Sequence, residues 1–474
     1  MTAGHGRRCG STRSAAVIAV AVLLGLTIFA AFDRAPLGYD SYFTLLWGDE
    51  LAHGQVPDYG GGPVAPAPHP LAIAVAALLA PLGDGTDDAF RLLVVFSFAT
   101  LCVGVFLLGD ELFAWPVGAM AAAIVATRVA LLEFATTAFV DIPAAALVMG
   151  AAVLEARRPR RGTGVLMLLA AAGLLRPEVW LLSAAYWLWL AVPLDWRSRA
   201  RYAAVAASAP ALWVISDLLV TGDPLWSRQH TRAVTNENEL PTGAHALLVE
   251  LPHHVGGILR ADVLALSAIG LAAAAIWLRR RAAVPGALLA MNGVAVVLLA
   301  LGGLPVLQRF VLLGSVALAL FAAVAALGWT ALPHAHRARR RWMIAGSGLL
   351  VVVIAGTAIE ISRAVDLRSQ LAASGRAQAN LGRLIDEPRA QPVLRRCRPI
   401  TLAAGQFAGF LAYRTGASPS AFAEFTRPGG VLVVNEPAQT PMGLREPLPR
   451  PPPIPSDFRR VAAHDPWVLY AGCR

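Results

Sequence analysis

Four carboxylates, Asp40, Asp49, Glu50 and Asp58, crowd the stretch from Gly38 to Leu71 together with His53, His69 and the aromatic residues Tyr39, Tyr42, Phe43, Trp47 and Tyr59. An ionised carboxylate in such a setting can take a proton from a hydroxyl group. A further carboxylate, Asp141, lies in FVDIPAAALVMG. Both Asp40 and Asp141 also have a simpler reading as helix caps. Asp40 stands where the N-cap of a short helix belongs, a role worth about 1 kcal/mol, and Asp141 precedes an apolar run whose first turn tolerates Pro143. Three arginines stand out among the cations. Arg176 and Glu178 flank a helix break, Arg309 follows LPVLQ at the end of an apolar span, and Arg228 lies with His230 and Arg232 in GDPLWSRQHTR. Guanidinium groups placed this way suit a phosphate. Arg128 and Glu133 are expected to snorkel or to pair with each other. His53 and His69 lack a paired spacing such as HExxH, which leaves them interfacial or structural by spacing alone. No P-loop, GxSxG elbow or dinucleotide fingerprint is found.

The elements that must hold these groups are set by composition. Hydrophobic residues make up 57% of 474 positions, charged residues 15%, and the mean hydropathy is +0.58. A soluble globular chain is thereby excluded. The formal charge of +10 comes from arginine alone, in short runs between apolar segments, which argues for membrane orientation and against nucleic acid. The absence of lysine is the usage of a GC-rich bacterial genome.

Apolar runs place an all-α polytopic bundle with about eleven crossings, over residues 15–32, 89–109, 115–135, 141–156, 165–175, 179–192, 203–221, 258–278, 284–302, 309–331 and 343–361. The first reads as a signal anchor behind Arg7, Arg8 and Arg13. With the N-terminus cytoplasmic, the arginine runs at 157–161, 197–201, 279–281 and 337–341 all fall inside. Residues 33–88, the turn before Asp141, residues 222–257 and everything after about Ser362 then fall outside. Parity makes Leu71–Leu82 a non-crossing segment. Ser41–His53 reads as an amphipathic helix lying flat on the bilayer, with Phe43, Leu46, Trp47 and Leu51 on one stripe and Gly54 as its stop. Pro177 breaks the short pair around Arg176.

Two domains follow, a membrane domain over 1–363, with the external loop 33–88, and an extracytoplasmic α/β domain over 364–474. In the latter, Asp366–Ile385 suggests a polar helix weakened by Gly375 and Gly382. Strands are expected at 399–404, 430–434 and 467–473, a helix at 406–414, and a stiff connector at Pro447–Pro455. Cys397 and Cys473 bracket this domain, whereas Cys9 is cytoplasmic and Cys102 lies in a span. A disulfide between the first two would stabilise the domain by about 4 kcal/mol in the chain-entropy model.

The order of GYDSYF, GQVPDY, PHPL, FVDIPAAALVMGAAVLEARR, GLLRPE, TGDPLWSRQHTR and LPVLQRFVLL, followed by an exported domain ending in a cysteine, resembles the polytopic GT-C glycosyltransferases. These include mannosyl- and arabinosyltransferases that use polyprenyl-phosphate sugars. The resemblance implies transfer of a sugar from a polyprenyl-phosphate donor to a glycan, lipid or protein hydroxyl on the external face, in cell-envelope glycan synthesis. It implies Asp40 as catalytic base and Asp141 as supporting carboxylate. The leaving lipid phosphate needs cationic stabilisation, for which Arg309 and Arg228 are the candidates, and Arg176 and His69 are placed at the same binding site. GYDS stands where a paired acidic motif would be, so no metal ligand is assigned; magnesium or manganese is the cofactor such chemistry could use. The rival readings are a lipid-linked glycan transporter or flippase and an inactive membrane scaffold.

Overall fold

Hydrocarbon offers no water to backbone N–H and C=O groups, so apolar stretches satisfy these groups within helices. The computed structural model describes residues 5–60, 65–436, 448 and 452–473. Its first helices are α1 His5–Ala31, α2 Tyr39–Ala52, α3 Pro70–Leu79, α4 Thr86–Leu112, α5 Trp115–Thr127, α6 Val129–Thr136, α7 Asp141–Arg157, α8 Thr163–Gly173 and α9 Val179–Ala191. They are followed by α10 Trp196–Thr221, α11 Trp226–Glu237, the single turn α12 Gly243–His245, α13 Leu251–Trp277, α14 Ala283–Leu301, α15 Leu312–Leu327 and α16 Arg337–Asp386.

A helix covers each stretch read as a span, but fewer have the reach to cross. Among the described residues six helices are long and apolar enough, and a seventh crossing follows if α5 and α6, bent by 64° at Arg128, form one broken span. The apolar part of α1, Ala15–Ala31, and helices α8 and α9 are shorter. The segment expected not to cross forms α3 and a 3₁₀ turn, in which Gly83 adopts φ 58° and separates it from α4.

Helix α2 departs from the amphipathic reading. Eight consecutive residues, Ser41 to Gly48, are buried, so the helix has no face left for a bilayer. It is enclosed by α3 on one side and by the C-terminal domain on the other. A Cβ on Gly48 would stand 2.5 Å from that of Ala76 in α3, and one on Gly409 would stand 2.7 Å from the Tyr39 carbonyl. The approach of three backbones thus depends on these two glycines. Tyr42 receives a hydrogen bond from Gln378 at 2.6 Å and meets Phe410 edge-on.

Helix α16 runs unbroken for 50 residues through the expected end of the last span and across the domain boundary drawn at 363/364. Gly375, which weakened the helical reading, is a point of close contact, since a Cβ there would stand 2.0 Å from the Arg34 carbonyl oxygen. On its membrane part α16 carries the buried Glu360, which accepts hydrogen bonds from Arg363 at 2.6 Å and from the Val129 N–H that opens α6 at 3.1 Å, and pairs with Arg260 at 3.6 Å. Arg260 itself has φ 67°, a conformation that strains a side chain and is held here by Asp262 at 3.1 Å and by Glu360. Arg128 does not snorkel. It is 1% exposed and donates to the Ile124 and Leu259 carbonyls, filling the α5–α6 break.

The C-terminal domain adds α17 Ala390–Arg396, β1 Ile400–Leu402, α18 Ala408–Thr415, β2 Val431–Asn435, β3 Arg459–His464 and β4 Trp467–Ala471. The sheet order is β1-β2-β4-β3, with β1 parallel to β2 and the other pairs antiparallel. Strand β3 escaped the sequence reading because its alternation is masked by Arg459, Arg460 and His464. The buried Trp467 ties the sheet to α16 through a 2.7 Å hydrogen bond to the Ala377 carbonyl. Cys397 and Cys473 form a disulfide with Cα atoms 6.0 Å apart. Of the proline-rich connector, residues 447 and 449–451 lie outside the described residues.

Candidate functional site

Asp40 is not a cap. Gly38 is the N-cap of α2, and Asp40 sits in the first turn with its side chain turned to Arg309, whose Nη1 donates to Oδ2 at 2.5 Å. The seat of this turn is the loop between α6 and α7. Gly38 N–H donates to the Thr137 carbonyl at 2.7 Å, and the Ser41 hydroxyl donates to the Ala138 carbonyl at 2.9 Å. Phe139 leaves no room for a Cβ on Gly38, which would approach its ring to 2.7 Å. The same loop delivers Asp141 as the first residue of α7, so one set of backbone contacts positions both carboxylates. Asp141 does not cap α7 either. Its two carboxylate oxygens are buried and accept no hydrogen bond among the described residues.

The cations come from two interrupted helices. Arg176 lies in the break between α8 and α9, where its N–H donates to the Ala172 carbonyl and the Leu71 N–H donates to the Leu174 carbonyl. Its Nε lies 2.8 Å from Glu178 and 3.3 Å from Asp141, which fixes one edge of the guanidinium group. Arg309 lies in the 3₁₀ turn Gln308–Val311 before α15. Asn292, a lone amide in the apolar α14, pins that turn by donating to the Phe310 carbonyl at 2.9 Å and accepting from the Gly314 N–H at 3.0 Å. Both guanidinium groups lie over the Phe310 ring, at 4.8 Å for Arg176 and 5.8 Å for Arg309. Phe310 and Asn292 were not singled out from sequence. An amide within an apolar helix is the signal that could have found Asn292.

Asp141, Arg176, Glu178 and Arg309 line a cleft with about 500 Å³ of empty space, part of it open. Small and apolar residues of α7, α9, α14 and α15, such as Ala144, Val148, Leu182 and Ala295, line the rest. An anionic head on an apolar tail matches that division.

His69 caps the start of α3 beside the Arg176 break and lies edge-on to Trp213. Burial, reinforced by the Arg176 charge, pushes its imidazole down to about 3, so the ring is neutral and brings no charge to a phosphate. Arg228 is exposed on α11 and makes no hydrogen bond or ion pair with the groups just described among the described residues, while its neighbour His230 stacks on Trp226 and bonds the Ala65 carbonyl at 2.7 Å. The structure therefore gathers Asp40, Asp141, Arg176, Arg309 and the neutral His69, and leaves Arg228 apart. A resident divalent cation does not fit this donor set. Each carboxylate faces a guanidinium group, and no group of three metal-ligating side chains occurs among the described residues.

No family model and no curated protein matches the chain. Solved structures do. ArnT from Cupriavidus metallidurans bound to undecaprenyl phosphate superposes with a TM-score of 0.57 at 13% identity, covering 98% of both chains. The same protein in the apo state gives 0.53 at 14%, again over 98% of both. An Archaeoglobus fulgidus oligosaccharyltransferase in the apo form gives 0.54 at 11%, covering 84% of this chain and 64% of its own. The chain shares its fold with ArnT and with this oligosaccharyltransferase.

Proposed function

We propose that the protein is a membrane glycosyltransferase that moves a sugar from a polyprenyl-phosphate donor to an acceptor hydroxyl in cell-envelope glycan synthesis. The observation that carries this reading is the cleft itself, lined by two guanidinium groups that lie over one ring and by small and apolar side chains of four helices. The fold shared with ArnT, crystallised with undecaprenyl phosphate, supports a lipid phosphate as the ligand.

In this reading the lipid tail lies against the apolar side chains of the cleft and the phosphate meets the edges of Arg176 and Arg309 that protein carboxylates do not occupy. Those charges stabilise the phosphate as it leaves the anomeric carbon. Asp40 takes the proton of the attacking hydroxyl. Arg309 holds its Oδ2, and Oδ1 accepts no hydrogen bond among the described residues. Glu178 holds Arg176 by Nε and so keeps the guanidinium plane fixed. With the arginine runs cytoplasmic, the reaction takes place on the outer face.

The test is transfer from an added polyprenyl-phosphate sugar in sealed right-side-out vesicles. Asparagine at position 40 keeps an oxygen for Arg309 but cannot take a proton. Asp40→Asn should lower transfer by about a hundredfold or more with an unchanged melting temperature. Wild-type turnover by the variant would remove Asp40 from the base role, and transfer only in inverted vesicles would overturn the orientation.

A further inference from the structure

Two residues that line the cleft carry buried polar atoms without hydrogen-bond partners, and these are of opposite kind. Arg309 Nε is a donor without an acceptor, and both oxygens of Asp141 are acceptors without a donor. Asp141 is 4% exposed and lines the cleft together with Arg309. The 3.3 Å approach of Arg176 balances its charge but makes no hydrogen bond to it. Native proteins seldom leave buried polar atoms unpaired, so each such atom calls for an explanation, and a ligand entering the cleft is one that answers for both sets. A bare lipid phosphate would satisfy Arg309 and leave Asp141 as it is, because a phosphate monoester held as the dianion by guanidinium groups has no hydrogen to give. The ligand that satisfies both sides carries anionic oxygens and, beside them, hydroxyl hydrogens.

We infer that Asp141 reads the transferred sugar, accepting hydrogens from the hydroxyls nearest the anomeric carbon, the one at C2 first, while Arg309 and Arg176 hold the phosphate. The inference rests on the donor reading above and goes further by dividing the labour of the two carboxylates. Asp40 acts on the acceptor hydroxyl, and Asp141 selects donors whose sugar retains those hydroxyls. A sugar lacking them would leave a buried carboxylate unpaired, the kind of mismatch by which hydrogen-bonding sites reject analogues strongly.

The experiment measures binding to the full chain in detergent with polyprenyl phosphate, with its mannosyl and arabinosyl esters, and with the 2-deoxy counterparts of those esters. Wild type should bind at least one ester more tightly than the bare lipid phosphate. That gain should fall by about 10- to 100-fold with the 2-deoxy ester, and by a similar factor for the intact ester in Asp141→Asn, while the bare lipid phosphate binds both proteins alike. The deoxy comparison needs no mutation, so it stands even if the variant fails to fold. Equal binding of deoxy and intact esters by wild type would overturn the inference, as would an equal loss of bare and glycosylated lipid in a folded Asp141→Asn. Wild type that binds the bare lipid but prefers neither ester would overturn it too, leaving the phosphate site standing. Wild type that binds none of the probes would remove the donor reading itself.

Discussion

Two clusters of buried charge lie in the membrane part of the molecule, and they are finished to different degrees. Around Glu360, Arg363, Arg260 and the Val129 N–H meet one carboxylate, Asp262 meets Arg260, and Arg128 is absorbed by backbone carbonyls. In the cleft the salt bridges are as short, yet both oxygens of Asp141 and Arg309 Nε remain without a hydrogen-bond partner. Burying charge is expensive in both places. A cluster that closes on itself fixes helices, here α5, α6, α13 and α16 around one carboxylate. A cluster left open offers its unpaired atoms to a ligand.

Breaking each cluster should therefore have different effects. The largest is expected at the open one, where Arg309→Ala should reduce transfer by about a hundred- to a thousandfold, the scale for removing a group that stabilises developing charge. Its melting temperature should change little, and a variant that transfers at near wild-type rate would erase the distinction. At the closed cluster, Glu360→Ala leaves two arginines facing each other and should lower stability by about 3 kcal/mol. Thermal unfolding in detergent measures this, with transfer by the remaining folded protein within a few-fold of wild type. A loss of transfer without a loss of stability would move Glu360 to the functional side.

The smallest effect is expected at Glu50, on α2, where burial is partial and no cation compensates. Burial above all, with the charges of Asp58 and Asp49 adding to it against the Asp58 N–H bond, pushes its carboxyl up to about 7. Because the folded protein holds this proton more tightly than the unfolded chain, the associated stability is full below about 4.5 and is lost as pH rises through about 7. Glu50→Gln should flatten the melting temperature profile across that window. Superimposable profiles would mean that Glu50 titrates alike in both states.

Much of the bundle was legible because a run of apolar residues carries its own structural instruction. The helices over 203–221, 284–302 and 309–331 follow from it, as does the break at Pro177. What failed was anything decided by a distant partner. The stripe of Phe43, Trp47 and Leu51 was visible, but part of the cover on α2, over Tyr42 and Phe43, comes from α18, which no periodicity reveals. Asp40 looked like a cap because its residue type suits one. Backbone geometry gave that place to Gly38, and the side chain was claimed by Arg309 across 269 positions. Arg228 and Arg309 looked alike as external arginines, and only packing separated them. The cysteine pair was legible because two thiols bracketing one domain leave little choice.

The enclosure of α2 also sets an order of assembly. Its sequence emerges early in synthesis, and α3 can cover one side soon after. The other side waits for Gly409, Phe410 and Tyr413, which belong to a domain closed by Cys473. Until then Tyr42 and Phe43 lack half of their packing, and the turn that carries Asp40 has no rigid seat. A chain interrupted before that domain can insert all its crossings and still possess no site.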